Sequence, residues 1–220
     1  MKYLAVICAL VIALSGSIAA KINGAVVQTV TIDKNVASIT VLNQSDQDLT
    51  GFTLAITGTF PDGRKENSEF TEDYGPLTGS VLGAQQIAIE PYTYKDAPIK
   101  VAAKVIVALY KDGTAEADDE ATLDQVVSVR AGMGKALQLG ADTLNAALST
   151  TSPSDYARLR FKELLASDDK TVDRAYLKGS VQLVEAAPKG GERQFFQQQA
   201  ARHQREATAF AAYAKIRRLP

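Results

Sequence analysis

The sequence predicts an α+β chain: an N-terminal antiparallel immunoglobulin-like β-sandwich, then a C-terminal all-helical region of about four helices. Three observations lead there. Between residues 21 and 118 apolar residues recur with period two, in short runs closed by turn residues. Past Asp118 the recurrence changes to a three-four spacing. The first twenty residues obey neither rule, because Lys2 precedes a charge-free run from Tyr3 to Ala20 that closes on Ser15-Gly16-Ser17-Ile18-Ala19-Ala20.

A basic residue, an apolar stretch and a Ser-x-Ala site are the parts of a secretory signal peptide, cleaved after about residue 19 or 20. Ser15, Gly16 and Ser17 shorten the strongly apolar part below the ~17 residues needed to cross a bilayer, which disfavours an uncleaved anchor. The expected organisation is therefore signal peptide 1–20, sandwich domain 21–118 and helical region 119–220, the last able to pack on the sandwich. An exported protein is expected, periplasmic or extracellular, with no integral membrane segment after cleavage. Cys8 is the single cysteine and leaves with the leader. Its loss excludes thiol catalysis, disulfide exchange and Cys-ligated metals from the mature chain, and about 200 residues can bury a core without disulfides.

Charge divides with the pattern. Residues 21–119 carry 8 Lys/Arg against 14 Asp/Glu, whereas residues 120–220 carry 15 against 11. Opposite signs let the halves dock or offer a basic face to a partner. Nucleic acid is not expected as that partner, since the whole chain has a formal net charge of −1.

The strands come in order along the first half. Ala25 to Ile32 ends at Asp33-Lys34-Asn35, and Val36 to Leu42 ends at Asn43-Gln44-Ser45-Asp46. Thr50 to Phe60 alternates Phe52, Leu54 and Ile56 against Thr53, Ala55 and Thr57. Pro61-Asp62-Gly63 closes it, and Asp-Gly predicts a type I′ turn with positive φ at both central residues. Arg64 to Tyr74 returns as a polar, edge-like strand and Gln86 to Ile89 is short. Ile99 to Tyr110 is long, with Val101, Ala103, Val105, Val107 and Leu109 expected on one face. Asp112-Gly113 then turns the chain into Thr114-Ala115-Glu116. About seven short strands at this spacing indicate a sandwich; an open sheet packed on helices shares the pattern.

Leu123, Val127, Arg130, Leu137, Ala141, Leu144 and Leu148 mark a long amphipathic helix up to the break at Ser149-Thr150-Thr151-Ser152. Ser152-Pro153-Ser154-Asp155 starts a second, with Pro at the first position, and Tyr156, Leu159, Leu164 and Leu165 as its expected apolar stripe. Ser167-Asp168-Asp169 is the expected start of a third, ended by Pro188-Lys189-Gly190-Gly191. A fourth is expected from Glu192 to Arg218, its basic close at Lys215-Ile216-Arg217-Arg218 suiting the helix dipole.

Few residues point to chemistry. His203, the single histidine, falls on a seam of Phe196, Ala200, His203, Ala207, Phe210 and Ala214, the face expected to pack against something. Packing is its first role there and a pH-dependent switch the alternative. No nucleophile elbow accompanies it, and one histidine cannot build a His-rich zinc site. The carboxylates Glu116, Asp118, Asp119, Glu120 and Asp124 lack a calcium-loop spacing and suit the start of a helix. Tyr92 and Tyr94, in Pro91-Tyr92-Thr93-Tyr94, are candidates for stacking on a sugar or peptide, against half-buried tyrosines at a strand end. No catalytic residue, cofactor or metal is expected.

The leader, the hairpin Tyr110-Lys111-Asp112-Gly113-Thr114-Ala115-Glu116-Ala117-Asp118-Asp119 and the helical stretch after it resemble uncharacterised exported bacterial proteins. The resemblance implies an immunoglobulin-like sandwich followed by helices and implies no activity. The expected function is that of an exported, non-enzymatic protein that binds a protein partner or self-associates through its C-terminal helices. The alternative is a carbohydrate-binding or hydrolytic protein using sandwich loops and carboxylates.

Overall fold

The computed structural model describes residues 22–74, 81–118 and 120–219; the signal peptide expected over residues 1–20 lies outside them. Seven antiparallel strands come first, β1 Ala25–Asp33, β2 Val36–Asn43, β3 Leu49–Thr59, β4 Lys65–Asp73, β5 Ile87–Thr93, β6 Lys100–Tyr110 and β7 Thr114–Ala117. Four helices come next, α1 Glu120–Leu148, α2 Pro153–Ala166, α3 Arg174–Glu185 and α4 Glu192–Tyr213, and then a two-residue strand, β8 Arg217–Arg218. The strands form two sheets, β1-β2-β5 and β4-β3-β6-β7-β8. Ala37, Ile39 and Val41 of β2 share one dry core with Phe52, Leu54 and Ile56 of β3, as strict alternation on both strands requires.

The long strand β6 departs from that alternation. Leu54 pairs with Val105 but Thr53 pairs with Val107, so one extra residue bulges at Ile106. A one-residue slip exchanges the faces of everything beyond it. Val101, Ala103 and Val105 therefore continue inward as Ala108 and Tyr110. Val107 and Leu109, expected on the same face, turn outward and form a second core with Leu123 and Val126 of α1 and Ile216 near the C-terminus. That helical cover is why Val105 to Tyr110 are all buried.

Both Asp-Gly turns also differ from expectation. Gly63 and Gly113 have φ of +83°, but neither preceding Asp does. Gly63 N–H donates to Phe60 O at 2.9 Å and Gly113 N–H to Tyr110 O at 3.1 Å, which makes each a four-residue turn ending on a left-handed glycine. Pro61 at the second position fixes a negative φ that a type I′ turn cannot take. The Asp carboxylates complete the turns: Asp112 Oδ1 accepts from Thr114 N at 2.9 Å and Asp62 Oδ1 from Arg64 N at 3.0 Å.

Helix α2 starts at Pro153 as expected, but its buried residues are Ala157 and Phe161, while Tyr156 and Leu159 face solvent. Helix α3 begins at Arg174 rather than at the expected Asp169. Asp169 uses its carboxylate locally, accepting from Thr171 N at 2.9 Å and Thr171 Oγ1 at 2.6 Å. Asp173 is the cap instead, accepting from Ala175 N at 2.8 Å and Tyr176 N at 3.1 Å. Helix α4 stops at Tyr213, so Lys215 to Arg218 is not a helix end. Arg217 N donates to Gly113 O and Leu219 N to Ala115 O, both at 2.8 Å, and the chain rejoins the sheet parallel to β7.

Sheet and helices are tied by Arg130 of α1, which is 1% exposed. Its Nε and Nη2 donate to Asp73 Oδ2 at 3.1 Å and Oδ1 at 2.9 Å, while Nη2 also donates to Thr50 O at 3.0 Å. Nη1 reaches Tyr213 O at 3.5 Å, and the guanidinium lies 5.5 Å from the Tyr213 ring centre. One buried cation thus joins β3, the end of β4, α1 and the end of α4. Gly51 permits it, since a Cβ there would lie 2.9 Å from Nη2.

Candidate functional site

Helix α1 is the floor of the helical layer. Helix α4 runs along it, α3 rests on α1 and α2, and α3 and α4 make few backbone contacts with each other. The result is a groove of about 390 Å³ between α3 and α4. Its walls are mainly apolar by area, from Leu137 on α1 and Tyr176 and Leu183 on α3, with Arg202, His203 and Glu206 on α4.

Steric detail at the floor explains the opening. A Cβ on Gly140 of α1 would lie 2.7 Å from His203 Nδ1 and 3.2 Å from Ser180 Oγ, so glycine at this turn lets both neighbours down onto the helix backbone. Gly179 of α3 is the reverse case, for a Cβ built there meets nothing within 4 Å. It borders open space.

Two side-chain atoms of the groove wall, His203 Nδ1 and Gln199 Oε1, are closed to water and have no hydrogen-bond partner. A buried polar atom left in this state costs about 1–3 kcal/mol. Ser180 Oγ, beside His203, donates back to Tyr176 O at 3.3 Å and keeps its own lone pairs for accepting. His203 is 7% exposed, and burial holds its pKa below the usual 6.5, against the opposing charge of Glu206 and with that of Arg202. Arg202 Nε donates to Glu206 Oε1 at 2.7 Å, its own side chain in solvent and the carboxylate largely covered. Burial first, then the charges of Asp173, Asp73 and Glu206, push the Tyr176 phenol up. Of the unspent polar atoms, Gln199 Oε1 is an acceptor and His203 Nδ1 is one in one neutral tautomer of the ring.

The seam read from the sequence has a definite place in this arrangement. Phe196 and Ala200 pack with Ala136, Leu144 and Ala147 of α1, and Ala207 and Phe210 pack with Leu137. His203 lies on the same face, at the edge where it borders the groove, and Ala214 is the half-buried cap that ends α4. Helix α1 thus covers most of the seam within the chain. Gln199, Ser180, Gly179 and Glu206 carried no signal as a group. They lie on separate helices, and a seam drawn on one helix says nothing of the gap beside it.

Tyr92 and Tyr94 lie on and just after β5. Tyr94 is 2% exposed, edge-on to Phe60 at 5.8 Å and to Tyr92 at 4.9 Å, and burial pushes its phenol up to about 12. Its ring is spent in the sandwich core and offers no face for stacking, while Tyr92 is half-buried beside it. Among the acidic residues, Glu72 of β4 and Glu90 of β5 are both raised, by burial first, then for Glu72 by Asp73 and for Glu90 by Glu72. The Tyr74 hydroxyl donates to Glu90 Oε1 at 3.4 Å. Among the described residues no group of three or more His, Cys, Asp and Glu could hold a metal ion, and no helix is long and apolar enough to cross a membrane. In comparison with known proteins, no family model and no curated protein matches the chain.

Proposed function

We propose that the chain is an exported, non-enzymatic binding protein whose C-terminal helices carry the binding element, with the α3–α4 groove as the seat of an external partner. The observation that carries this reading is the pair of unpartnered buried atoms, Gln199 Oε1 and His203 Nδ1, in the wall of a mainly apolar groove. The large majority of buried side-chain polar atoms in folded proteins are satisfied. Two failing together in one concavity of ligand size suit a partner that the chain itself does not supply. The leader at residues 1–20 supports export. For the strand half the orders β1-β2-β5 and β4-β3-β6-β7 support an immunoglobulin-like sandwich whose fourth strand lies beside the third rather than the fifth.

The test is thermal unfolding of the mature chain and of Gly179→Leu against a broad panel of metabolites and short peptides. Leucine at 179 fills the groove from a position with free space, and it replaces a helical glycine, so the variant should fold at least as well as the parent. Compounds that stabilise the parent and leave the variant unmoved are the expected result; a panel that acts equally on both refutes the groove as the binding element. The hydrolytic alternative has one observation in its favour, the raised pair Glu72 and Glu90. Turnover of a glycoside or ester that Glu72→Gln or Glu90→Gln abolishes would replace the binding reading with that one.

A further inference from the structure

The groove's chemistry selects among ligands. Building on the reading of the groove as a binding site, we propose that its ligand is a primary amine on an apolar body, an alkyl- or arylalkylammonium. The nitrogen sits toward Gln199, His203 and Glu206, and the body lies along Leu137, Tyr176 and Leu183. Three independent features agree on that class. The polar atoms without partners are both in a position to accept, Gln199 Oε1 and, in one neutral tautomer of the ring, His203 Nδ1. Ser180 Oγ of α3, whose proton is committed to Tyr176 O and which meets the same Gly140 as His203 Nδ1, is a third acceptor. An ammonium is all donor, with three N–H bonds and no acceptor, which matches a set of acceptors better than an amide, a hydroxyl or a carboxylate does.

Charge agrees with the hydrogen bonding. The carboxylates of Asp173, Asp73 and Glu206 all lie near enough to the Tyr176 hydroxyl to help push it up, after burial, so acidic groups gather at that end of the groove. Arg202 also lines the groove and holds Glu206 Oε1, but its side chain is mostly in solvent, and an ion pair with one partner in solvent on one helix face is weak. A cation arriving from the groove side competes with it on favourable terms. The aromatic ring of Tyr176 adds a face on which a cation is attracted. Burial keeps His203 neutral near pH 7, so the ring does not repel the ligand.

The apolar lining then sets the body. Leu137, Leu183, Ala175 and the Tyr176 ring remove from water an alkyl chain or a phenyl group rather than a polyol. Access to the sealed acceptors requires that α3 yield slightly, and α3 is tied to α4 by few backbone contacts.

Three probes of one shape decide the matter: benzylamine, benzyl alcohol and benzoate, titrated into the isotopically labelled mature chain by NMR. Benzylamine should shift the His203 ring and the Gly179 and Ser180 amides saturably, benzyl alcohol more weakly, and benzoate not at all. In Glu206→Gln the affinity for benzylamine should fall about tenfold, the effect of losing one charge-assisted bond, with benzyl alcohol unchanged. In Gly179→Leu the shifts of the His203 ring and the Ser180 amide with benzylamine should vanish while the amide spectrum stays dispersed. Equal binding of the three probes, or preference for benzoate, overturns the amine class and leaves the groove as a binding site. No shift with any probe also overturns the amine proposal, whereas the groove itself fails only if the broad panel never distinguishes the parent from Gly179→Leu.

Discussion

Arg130 and His203 are, among the described residues, the two buried ionisable side chains of the helical layer, and opposite physics keeps them there. Arg130 stays charged, so its burial is tolerable only because Asp73, Thr50 O and Tyr213 O satisfy its fork. Arg130→Ala should therefore cost about 3–5 kcal/mol, the penalty for breaking a buried pair. Arg130→Lys should recover only part of it, since an ammonium cannot span both carboxylate oxygens and a carbonyl. Urea unfolding of both variants measures this, and a lysine variant as stable as the parent would mean that the fork geometry is unimportant. His203 instead stays neutral, with its pKa held below 6.5 by burial. Above that value neither the folded nor the unfolded chain carries the proton, and the shift contributes nothing. As pH falls below 6.5 the unfolded state takes up the proton first, so stability should drop through that window until the folded-state pKa is passed. His203→Leu removes this slope while other titrations continue in both proteins. The quantity to measure is the difference between the two unfolding free energies on either side of pH 6.5, and a difference independent of pH would show that the ring is solvated.

Elements were legible in the sequence wherever one strand or helix decides its own fate. Period two and the turn residues between the runs together located all seven antiparallel strands, the alternation being clearest in β2, whose successive residues face the core and a different surface in turn. Pro153 and the Pro188-Lys189-Gly190-Gly191 break marked α2 and the end of α3 through local chain geometry alone. What escaped depends on a neighbour. The bulge at Ile106 exists because β6 meets the sandwich on one side and α1 on the other, and alternation read along β6 alone cannot contain a second layer. Likewise Lys215 to Arg218 has a helical look, but the free edge of β7 offers backbone partners that capture it as a strand. Arg130 did leave a signal, a lone charge inside an apolar stripe, which in a buried helix demands a partner from outside it. Of the candidate site only His203 was visible, and the groove beside it was not, since it is the space between α3 and α4 and no residue encodes it by itself.

At the scale of the molecule the helices form a third layer on the second sheet. Val107 and Leu109 face α1, Ala115 and Ala117 join them, and Leu123, Val126 and Ile216 close that core from the helical side. Arg130 bonds Thr50 and Asp73 through the same contact, so the negative first half and the positive second half meet at a partly buried, bidentate pair that salt screens less than an exposed one. A 21–118 fragment would expose that whole apolar face and leave β7 as an open edge without β8. It should still be mostly β by circular dichroism, because the buried residues of the core between the sheets, from Ile39 and Val41 to Phe52 and Tyr110, all lie within it, and half-buried Leu219 packs against that core from outside the fragment. Its thermal midpoint should fall well below that of residues 21–220, and it should associate as concentration rises. In the 21–220 chain the β and helical signals should disappear in one transition, since neither layer can leave without uncovering the other. If the fragment is monomeric and as heat-resistant as the longer chain, the face carrying Val107 and Leu109 needs no cover. The helices would then be a module docked on a finished sandwich.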